Sequence, residues 1–454
     1  MKIETVNKVF FIGIGGIGMS ALARYFLSKG ATVSGYDLTP SSLTSKLEQE
    51  GASITFKDEL AHIPQDFIQD ENTLYIYTPA IPEENKLKKH LISLHKKLYK
   101  RAEILGLLSK SYECVGIAGT HGKTTISTIT AHLFHQSPLA CNAFLGGISK
   151  NYHSNLITSS QSKWMVVEAD EFDRSFLQLH PQIALISAMD ADHLDIYGHH
   201  DNLIQAFQQY AAQRKEKGKL VYKLHLASYF SEVSNTYSYD LSDIRADFHA
   251  SNIRLIKHQF HFDLKHPKGL IKDLLMPMPG KINLENTVAA CSTALLAGIN
   301  GDDIRKALAG FLGIKRRMEK VFSTPFHYYD DYAHHPEEIK AAISSLQELY
   351  PTKEITVVFQ PHLFSRTQDF AAEFAQSLSL AAKIILLDIY PAREKAISGV
   401  SSEIILQLIK TKNKQLLKKE ALLSELKKQK PQVLFTLGAG DIDRLVEPIK
   451  QSFL

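Results

Sequence analysis

The sequence predicts an α/β protein of three domains. Three observations predict it: two glycine loops set where a strand hands over to a helix, a strand and helix alternation that restarts twice, and a length of 454 residues, more than one hydrophobic core supports. With 44% hydrophobic and 22% charged residues, the composition is that of a globular protein. The formal charge of +4 is small for this length, and the clusters Lys412 to Lys419 and Lys427 to Lys430 read as solvated helix faces, so no nucleic acid is expected as a partner. Cys114, Cys141 and Cys291 are odd in number, far apart and in apolar or small-residue surroundings, which reads as reduced core cysteines and not a disulfide framework or zinc site. Met1 to Val9 lacks a secretory pattern and no apolar run approaches the ~20 residues of a membrane span, so no span and a cytoplasmic location are expected.

Residues 1–110 form the first expected domain. Val9 to Ile14 is a short apolar strand, Ile17 to Leu27 has helical spacing, and Thr32 to Tyr36 is a second strand ending at Asp37. The glycine loop between the first two, Gly13-Ile14-Gly15-Gly16-Ile17-Gly18, offers backbone N–H groups and a helix N-terminus to a diphosphate. Asp37 falls about twenty positions later, where a ribose hydroxyl would be met. Alone, this fingerprint suggests an NAD enzyme, and a tight turn without ligand is the duller alternative. Any diphosphate could lie on that helix end. Thr73 to Tyr77 is a further strand, and Arg101 to Ser109 a helix leading to the boundary.

Residues 111–313 are the second. Glu113 to Ala118 is a strand, followed by Gly119-Thr120-His121-Gly122-Lys123-Thr124-Thr125 and a helix from Thr124 to Phe134. The loop departs from the ordinary P-loop spacing, because Ile117 stands where the first glycine should be and a glycine appears at Gly119. Its chemistry is unchanged: amides cradle phosphate oxygens, Lys123 neutralises β/γ charge and Thr124 can ligate Mg²⁺. Strands at Trp164 to Glu168 and Ile183 to Ser187 end in Glu168-Ala169-Asp170-Glu171 and Asp190-Ala191-Asp192-His193-Leu194-Asp195. Carboxylates and an imidazole thus gather beside the phosphate loop, a set that suits Mg²⁺ bridging a transferring phosphoryl group and its acceptor. Helix capping for Glu168, or a backbone contact for His193, would be the blander roles. Between Lys219 and Met276 the period shifts toward alternation, as expected of an antiparallel patch. Asn283 and Asn286, three apart after Pro279-Gly280, would share a helix face suited to an adenine edge, though capping explains either as well.

Residues 314–454 form the third, with strands at His327 to Tyr329, Ile355 to Phe359, Ile384 to Leu387 and Val433 to Leu437. Pro336 has the place of a first-turn helix proline, which makes His335 a candidate cap. His362 and Arg366 share a face if helical, and the arginine could clamp a small carboxylate bidentately or form a surface salt bridge.

Taken together, the motifs resemble the Mur ligase family. Those that carry the likeness are Gly13 to Ser20, Gly119 to Thr125, Glu168 to Glu171, Asp190 to Gly198, Arg316-Arg317, Asp330 to Pro336, Gln360 to Thr367 and Gly438 to Ile442, in the family's order over nearly the whole chain. The resemblance implies an N-terminal Rossmann-like domain, a central P-loop ATPase-like mixed sheet and a C-terminal Rossmann-like domain that closes over an amino acid. It implies ATP-dependent ligation of L-alanine to the carboxylate of UDP-N-acetylmuramate through an acyl phosphate, in peptidoglycan precursor synthesis, with Mg²⁺ as metal. A homodimer is left open as the assembly.

Site residues follow from the same likeness. Gly15, Gly16, Ile17, Gly18 and Asp37 would hold the UDP-sugar. Gly119, Thr120, His121, Gly122, Lys123, Thr124, Thr125, Asn286, Arg317 and Asp331 would hold ATP. Thr124 and Glu168 would hold one Mg²⁺ and His193 a second near the substrate carboxylate, while Asn286 would lie at the adenine and Asp331 near the ribose. His334, His362 and Arg366 would surround the alanine, and Lys123, His193, His334 and Arg366 would be the catalytic set. Ile282-Asn283 and Met318 depart from the family's usual histidine-asparagine and phenylalanine.

Overall fold

A computed structural model describes residue 3 and residues 6–392 and 394–454, and of Leu194 and Asp195 the backbone alone. The side chain of Asp195 in the second acidic cluster therefore lies outside the described residues. The chain divides into two compact units, one of Met1–Asn252, Phe262–Leu274 and Glu285–Phe311, the other of Ile253–His261, Leu275–Leu284 and Leu312–Leu454.

The first sheet consists of β1 (Lys8–Ile12), β2 (Thr32–Tyr36), β3 (Ser53–Thr55), β4 (Leu74–Tyr77) and β5 (Leu98–Lys100), all parallel in the order β3-β2-β1-β4-β5. Strand order reverses at β1, so the crevice for a ligand opens at its carboxyl end, where Gly13 turns the chain at φ 89° into the helix Ile17–Ser28.

The second sheet comprises β6 (Glu113–Ala118), β7 (Asn142–Ser149), β8 (Ser154–Ile157), β9 (Trp164–Glu168), β10 (Ile183–Ile186), β11 (Lys219–Lys223), β12 (Thr236–Asp240), β13 (Phe248–Ile256), β14 (Gln259–His266) and β15 (Gly269–Met276). Its order is β15-β14-β13-β12-β11-β10-β6-β9-β7-β8. β6 runs parallel to both β10 and β9, which brings the ends of three strands beside the lysine loop. The alternating segment forms β13 to β15, joined by two-residue turns. Lys257 and His258 take φ 49° and 63°, the left-handed pair that a tight hairpin requires, and Phe260, Phe262 and Leu264 point inward from β14.

These two sheets share one hydrophobic cluster, reaching from Val9 and Phe11 of β1 through Tyr25 and Phe26 to Phe144, Leu156, Met165 and Ala184. Tyr25 and Phe144 pack with ring centroids 5.4 Å apart, a contact worth about 0.5–1.5 kcal/mol beyond area burial. A buried polar clasp reinforces it. Asn155 of β8 donates to the carbonyl of Ile17 (2.5 Å) and to Ser20 Oγ (3.0 Å), and accepts from Arg24 at 2.5 Å. The β7–β8 hairpin thereby fixes the helix that carries the first glycine loop.

The other unit carries the third sheet: β16 (Glu319–Phe322), β17 (His327–Asp331), β18 (Ile355–Phe359), β19 (Lys383–Leu386), β20 (Lys414–Leu416) and β21 (Val433–Leu437). Its order is β16-β17-β21-β18-β19-β20, with only β16 antiparallel. Tyr329, Val357, Ile384 and Phe435 pack on one face and Tyr328, Val358, Ile385 and Leu434 on the other, as a parallel sheet buried on both sides demands.

Two expectations fail locally. Lys412 to Lys419 is not a helix face: it crosses β20, and Lys414 donates to the carbonyls of Leu406 (2.8 Å) and Ile409 (2.6 Å), so its stem packs where a free helix face would leave it solvated. His362 and Arg366 do not share a helix, because the helix begins at Phe364 after Leu363 turns at φ 73°. The three cysteines are buried and none is in a disulfide, and burial raises the Cys114 thiol pKa to about 12. Among the described residues no helix is long and apolar enough to cross a membrane.

Asp330 of β17 is wholly buried. Burial raises its pKa to about 7, against the pull of Arg316 at 3.7 Å and of Thr436, which donates to it at 2.5 Å. Between the ordinary aspartate range and pH 7 the folded state binds a proton that the unfolded state has lost, so stability falls as pH rises through that window. The upper bound is about 4 kcal/mol at 1.36 kcal/mol per unit. Asp330→Asn is expected to flatten this slope, checked by urea midpoints of both proteins at pH 5 and pH 8.

Candidate active site

The lysine loop is built by backbone first. β6 ends at Ala118, Gly119 takes φ 135° and Gly122 φ 83°, and the helix Lys123–His135 starts directly after. A Cβ on Gly119 would run into the Ser187 hydroxyl, and one on Gly122 would lie 2.8 Å from Asn286 Oδ1, so only glycine fits either place. Thr120 N–H donates to Ala188 O (3.1 Å), Asp190 N–H donates to Thr120 Oγ1 (3.2 Å), and Ser187 Oγ donates to the carbonyl of His121. The loop is thus sewn to the end of β10. The amides of the helix's first turn have no intrahelical acceptor and face the loop's hollow with the positive end of the helix dipole, an arrangement suited to phosphate.

Lys123 Nζ donates to Gly119 O and to Glu171 Oε1, both at 2.7 Å, and Glu171 is completely buried. Burial opposes the ammonium charge, yet the carboxylates of Glu171 and Asp170 outweigh it and hold the Lys123 pKa above its ordinary value. Burial raises Glu171 too, against the pull of Lys123. Glu171 Oε2 has no hydrogen-bond partner among the described residues.

The expected metal residues separate into two groups. Thr124 Oγ1 donates to Glu168 Oε1 at 3.2 Å, while Gly146 N–H donates to Glu168 Oε2 at 3.2 Å. His193 instead joins Glu171 and Asp192, with Nε2 at 3.9 and 3.7 Å from their carboxylates, and one donor atom from each of the three lies within 4.8 Å of the others. Oxygen donors beside an unpartnered buried carboxylate oxygen suit a hard divalent cation. His193 adopts φ 51°, a left-handed setting that costs about 1–2 kcal/mol in a residue with a Cβ.

A cleft of about 280 Å³ lies against the first glycine loop: Gly16, Ile17, Gly18 and Arg101 line it together with Gly146, Glu168, Asp170 and Phe172, and Glu168 is the carboxylate that meets Thr124 of the lysine loop. Of the five residues expected at the diphosphate and ribose, Gly16, Ile17 and Gly18 line the cleft, and Gly15 N–H donates to Asp37 Oδ2 at 2.7 Å in the adjoining turn. A Cβ on Gly18 would overlap the Arg101 guanidinium. Arg101 is a functional candidate that sequence reasoning passed over, and Glu171, read there only as one acid of the Glu168 to Glu171 run, is the partner of Lys123. The signal for Arg101 was its place at the carboxyl end of β5, where such sheets set their ligands.

Asn286 stands beside Gly122, as the contact above shows, whereas Asn283 donates to Pro279 O at 2.6 Å, a local capping bond.

The second unit gathers the remaining candidates. His334 Nδ1 lies 3.0 Å from Tyr332 O and 3.4 Å from Glu338, and its ring is 6.2 Å from that of His362, which stacks on Tyr390 at 5.8 Å. Burial, with the nearby Arg366 and Arg317 charges, lowers the His334 pKa despite Glu338. Arg366 Nη1 is buried without a hydrogen-bond partner among the described residues. Asp331 is fully engaged, accepting from Met318 N–H (2.6 Å) and Ala333 N–H (2.7 Å), and Arg317 lies over the Tyr332 ring at 5.5 Å. Pro336 opens the helix Pro336–Leu349 with His335 as its cap.

A lysine loop beside an acid cluster, with a second glycine loop on a cleft that reaches Glu168 and Asp170, suits a nucleotide-dependent enzyme that transfers a phosphoryl group. The chain belongs to the Mur ligase family: it matches the "Mur ligase family, catalytic domain" over residues 8–113, the "Mur ligase middle domain" over 117–294 and the "Mur ligase, glutamate ligase domain" over 316–440. It is 46% identical over 451 residues to the UDP-N-acetylmuramate–L-alanine ligase of Phocaeicola vulgatus, covering 99% of this chain and 98% of that one. Identity to the enzyme of that name from Parabacteroides distasonis is 47% over 454 residues, with 99% and 98% covered. The solved UDP-N-acetylmuramate-alanine ligase of Thermotoga maritima has the same fold, with a TM-score of 0.82 over 98% of each chain at 24% identity.

Gly146 has no room for a side chain, since a Cβ there would strike the Glu168 carboxylate. Gly146→Ala is expected to turn Glu168 away from Thr124 and raise the half-saturating Mg²⁺ concentration for ATP turnover by about 10–100-fold, the usual effect of disturbing a ligand's support. A Mg²⁺ titration of both proteins checks it.

Proposed function

We propose that this chain ligates L-alanine to the carboxylate of UDP-N-acetylmuramate, converting ATP to ADP and phosphate, as its relatives' names describe. The observation that carries this reading is the cleft. It runs from the first glycine loop, with Arg101 upon it, to Glu168, which meets Thr124 of the lysine loop, so a substrate with its diphosphate at one end would extend toward the lysine loop.

The chemistry follows from what each group can do. A carboxylate is a poor acceptor for an amine, so its oxygen first attacks the γ-phosphorus, giving an acyl phosphate and ADP. The amino group then attacks the acyl carbon and phosphate leaves. Lys123, kept cationic by Glu171, neutralises charge on the β- and γ-phosphates. Mg²⁺ held by Thr124 with Glu168, and by Glu171, Asp192 and His193, would screen the repulsion between the attacking carboxylate and the phosphate. The amides of Gly119 to Thr125 would orient the triphosphate, and Asn286 would meet the adenine. In the other unit, Arg366 and His362 would hold the amino acid's carboxylate, and the depressed pKa of His334 leaves an imidazole able to take a proton from the incoming ammonium. The cytoplasm, which supplies ATP and nucleotide sugars, is the compartment this reaction requires.

The test is phosphate release with each substrate omitted in turn, with free L-alanine compared against a tripeptide as the amine. Release that needs neither UDP-N-acetylmuramate nor alanine would reject the reading. Hydroxylamine added with UDP-N-acetylmuramate, ATP and Mg²⁺ is expected to yield a hydroxamate. Lys123→Ala is expected to keep UDP-sugar binding nearly intact and to lower turnover roughly 10²–10³-fold, the scale for losing one charge-stabilising donor. Turnover within a few-fold of the parent would remove Lys123 from its role.

A further inference from the structure

We infer that Phe172 is a positioning residue that seats His193 and keeps water from the activated carboxylate, an inference that rests on the ligase reading above. Phe172 is 43% exposed and lines the cleft next to Glu168 and Asp170. Its ring meets His193 edge-on, with centroids 5.4 Å apart and planes at 75°. The hydrophobic effect alone would turn such a side chain inward, yet the backbone holds it out. Asp173 and Arg174, the next two residues, both take left-handed conformations, φ 53° and 54°. This setting is clamped from three sides: Asp173 pairs with Lys100 at 2.8 Å, the Arg174 guanidinium lies 5.2 Å from the Tyr197 ring centroid, and the Tyr197 hydroxyl donates to Glu171 O at 2.7 Å. Phe172 N–H itself donates to Asp170 Oδ1 at 3.2 Å. A strained, clamped segment that presents an aromatic ring to a cleft, against an imidazole of the acid cluster, places the ring for what the cleft holds.

The step that the ring suppresses is hydrolysis. Water oxygen attacks the acyl carbon, the carbon–oxygen bond to phosphorus breaks, and carboxylate, hydrogen phosphate and one proton result, so ATP is consumed without ligation. Removing apolar cover from a reactive anhydride raises this loss.

The experiment measures phosphate released per ligated product, and phosphate released with UDP-N-acetylmuramate and ATP but no amino acid. The parent is expected to give a ratio near one. Phe172→Ala is expected to raise the ratio several-fold and to release phosphate without alanine, while Phe172→Leu, which keeps apolar bulk, stays near the parent. A ratio near one in Phe172→Ala overturns the inference, whether or not its turnover falls. So does equal uncoupling in Phe172→Leu. If the parent itself forms no ligated product, the ligase reading fails instead, so the two failures are distinct.

Discussion

The ion pair between Lys123 and Glu171 is the constraint on which the site depends. A lysine ammonium at the mouth of a phosphate loop must stay charged although most of its surface is taken from water, and burying a charge without a partner costs several kcal/mol. Glu171 supplies the partner at 2.7 Å, and Gly119 O the second acceptor. The same carboxylate faces His193, and its backbone carbonyl receives the Tyr197 hydroxyl. One buried acid therefore sets the lysine, the imidazole and the turn at residues 170–175 in register. Binding of a triphosphate would bring competing anionic oxygens to Lys123 and leave Glu171 to a cation, a coupling written into the charge balance of the pair.

Strained backbone occurs at the same place. His193, Asp173 and Arg174 are left-handed without being glycine, and Gly119 and Gly122 occupy conformations that no other residue fills there at low cost. Such settings persist where surrounding structure over-determines them, here through the shared core of the first two sheets and the Asn155 clasp on the helix Ile17–Ser28. The clasp matters for a physical reason. Groups on the two glycine loops can act on one ligand only if the loops keep a fixed spacing, and the β7–β8 hairpin touches both the first helix and, through Gly146, the Glu168 carboxylate.

Much of this was legible in the sequence because the signals are local. A strand that ends in glycines and opens a helix writes its purpose within about a dozen residues, and both loops, Asp37, Thr124 and Glu168 lie where their spacing put them. The β7–β8 hairpin was not legible, since Asn142 to Ser149 carries two glycines and a bulged pairing in place of clean alternation. Glu171 stood in a run with Glu168 and Asp170, and nothing in that run says which carboxylate turns inward. That Glu171 and Asp192 are the carboxylates beside His193 was hidden for the same reason.

The sequence by itself determined the α/β class, the two strand-to-helix glycine loops and the ligase family, because each rests on short-range periodicity or on motifs contiguous in the chain. Tertiary structure alone decided which acid neutralises Lys123, that Arg101 lies against Gly18, that one cleft runs from the first glycine loop to Glu168 and Asp170, and that Asp331 spends both oxygens on backbone amides of Met318 and Ala333. The physical reason is that burial and distance fix charge partners, and both are properties of segments brought together from tens of residues apart.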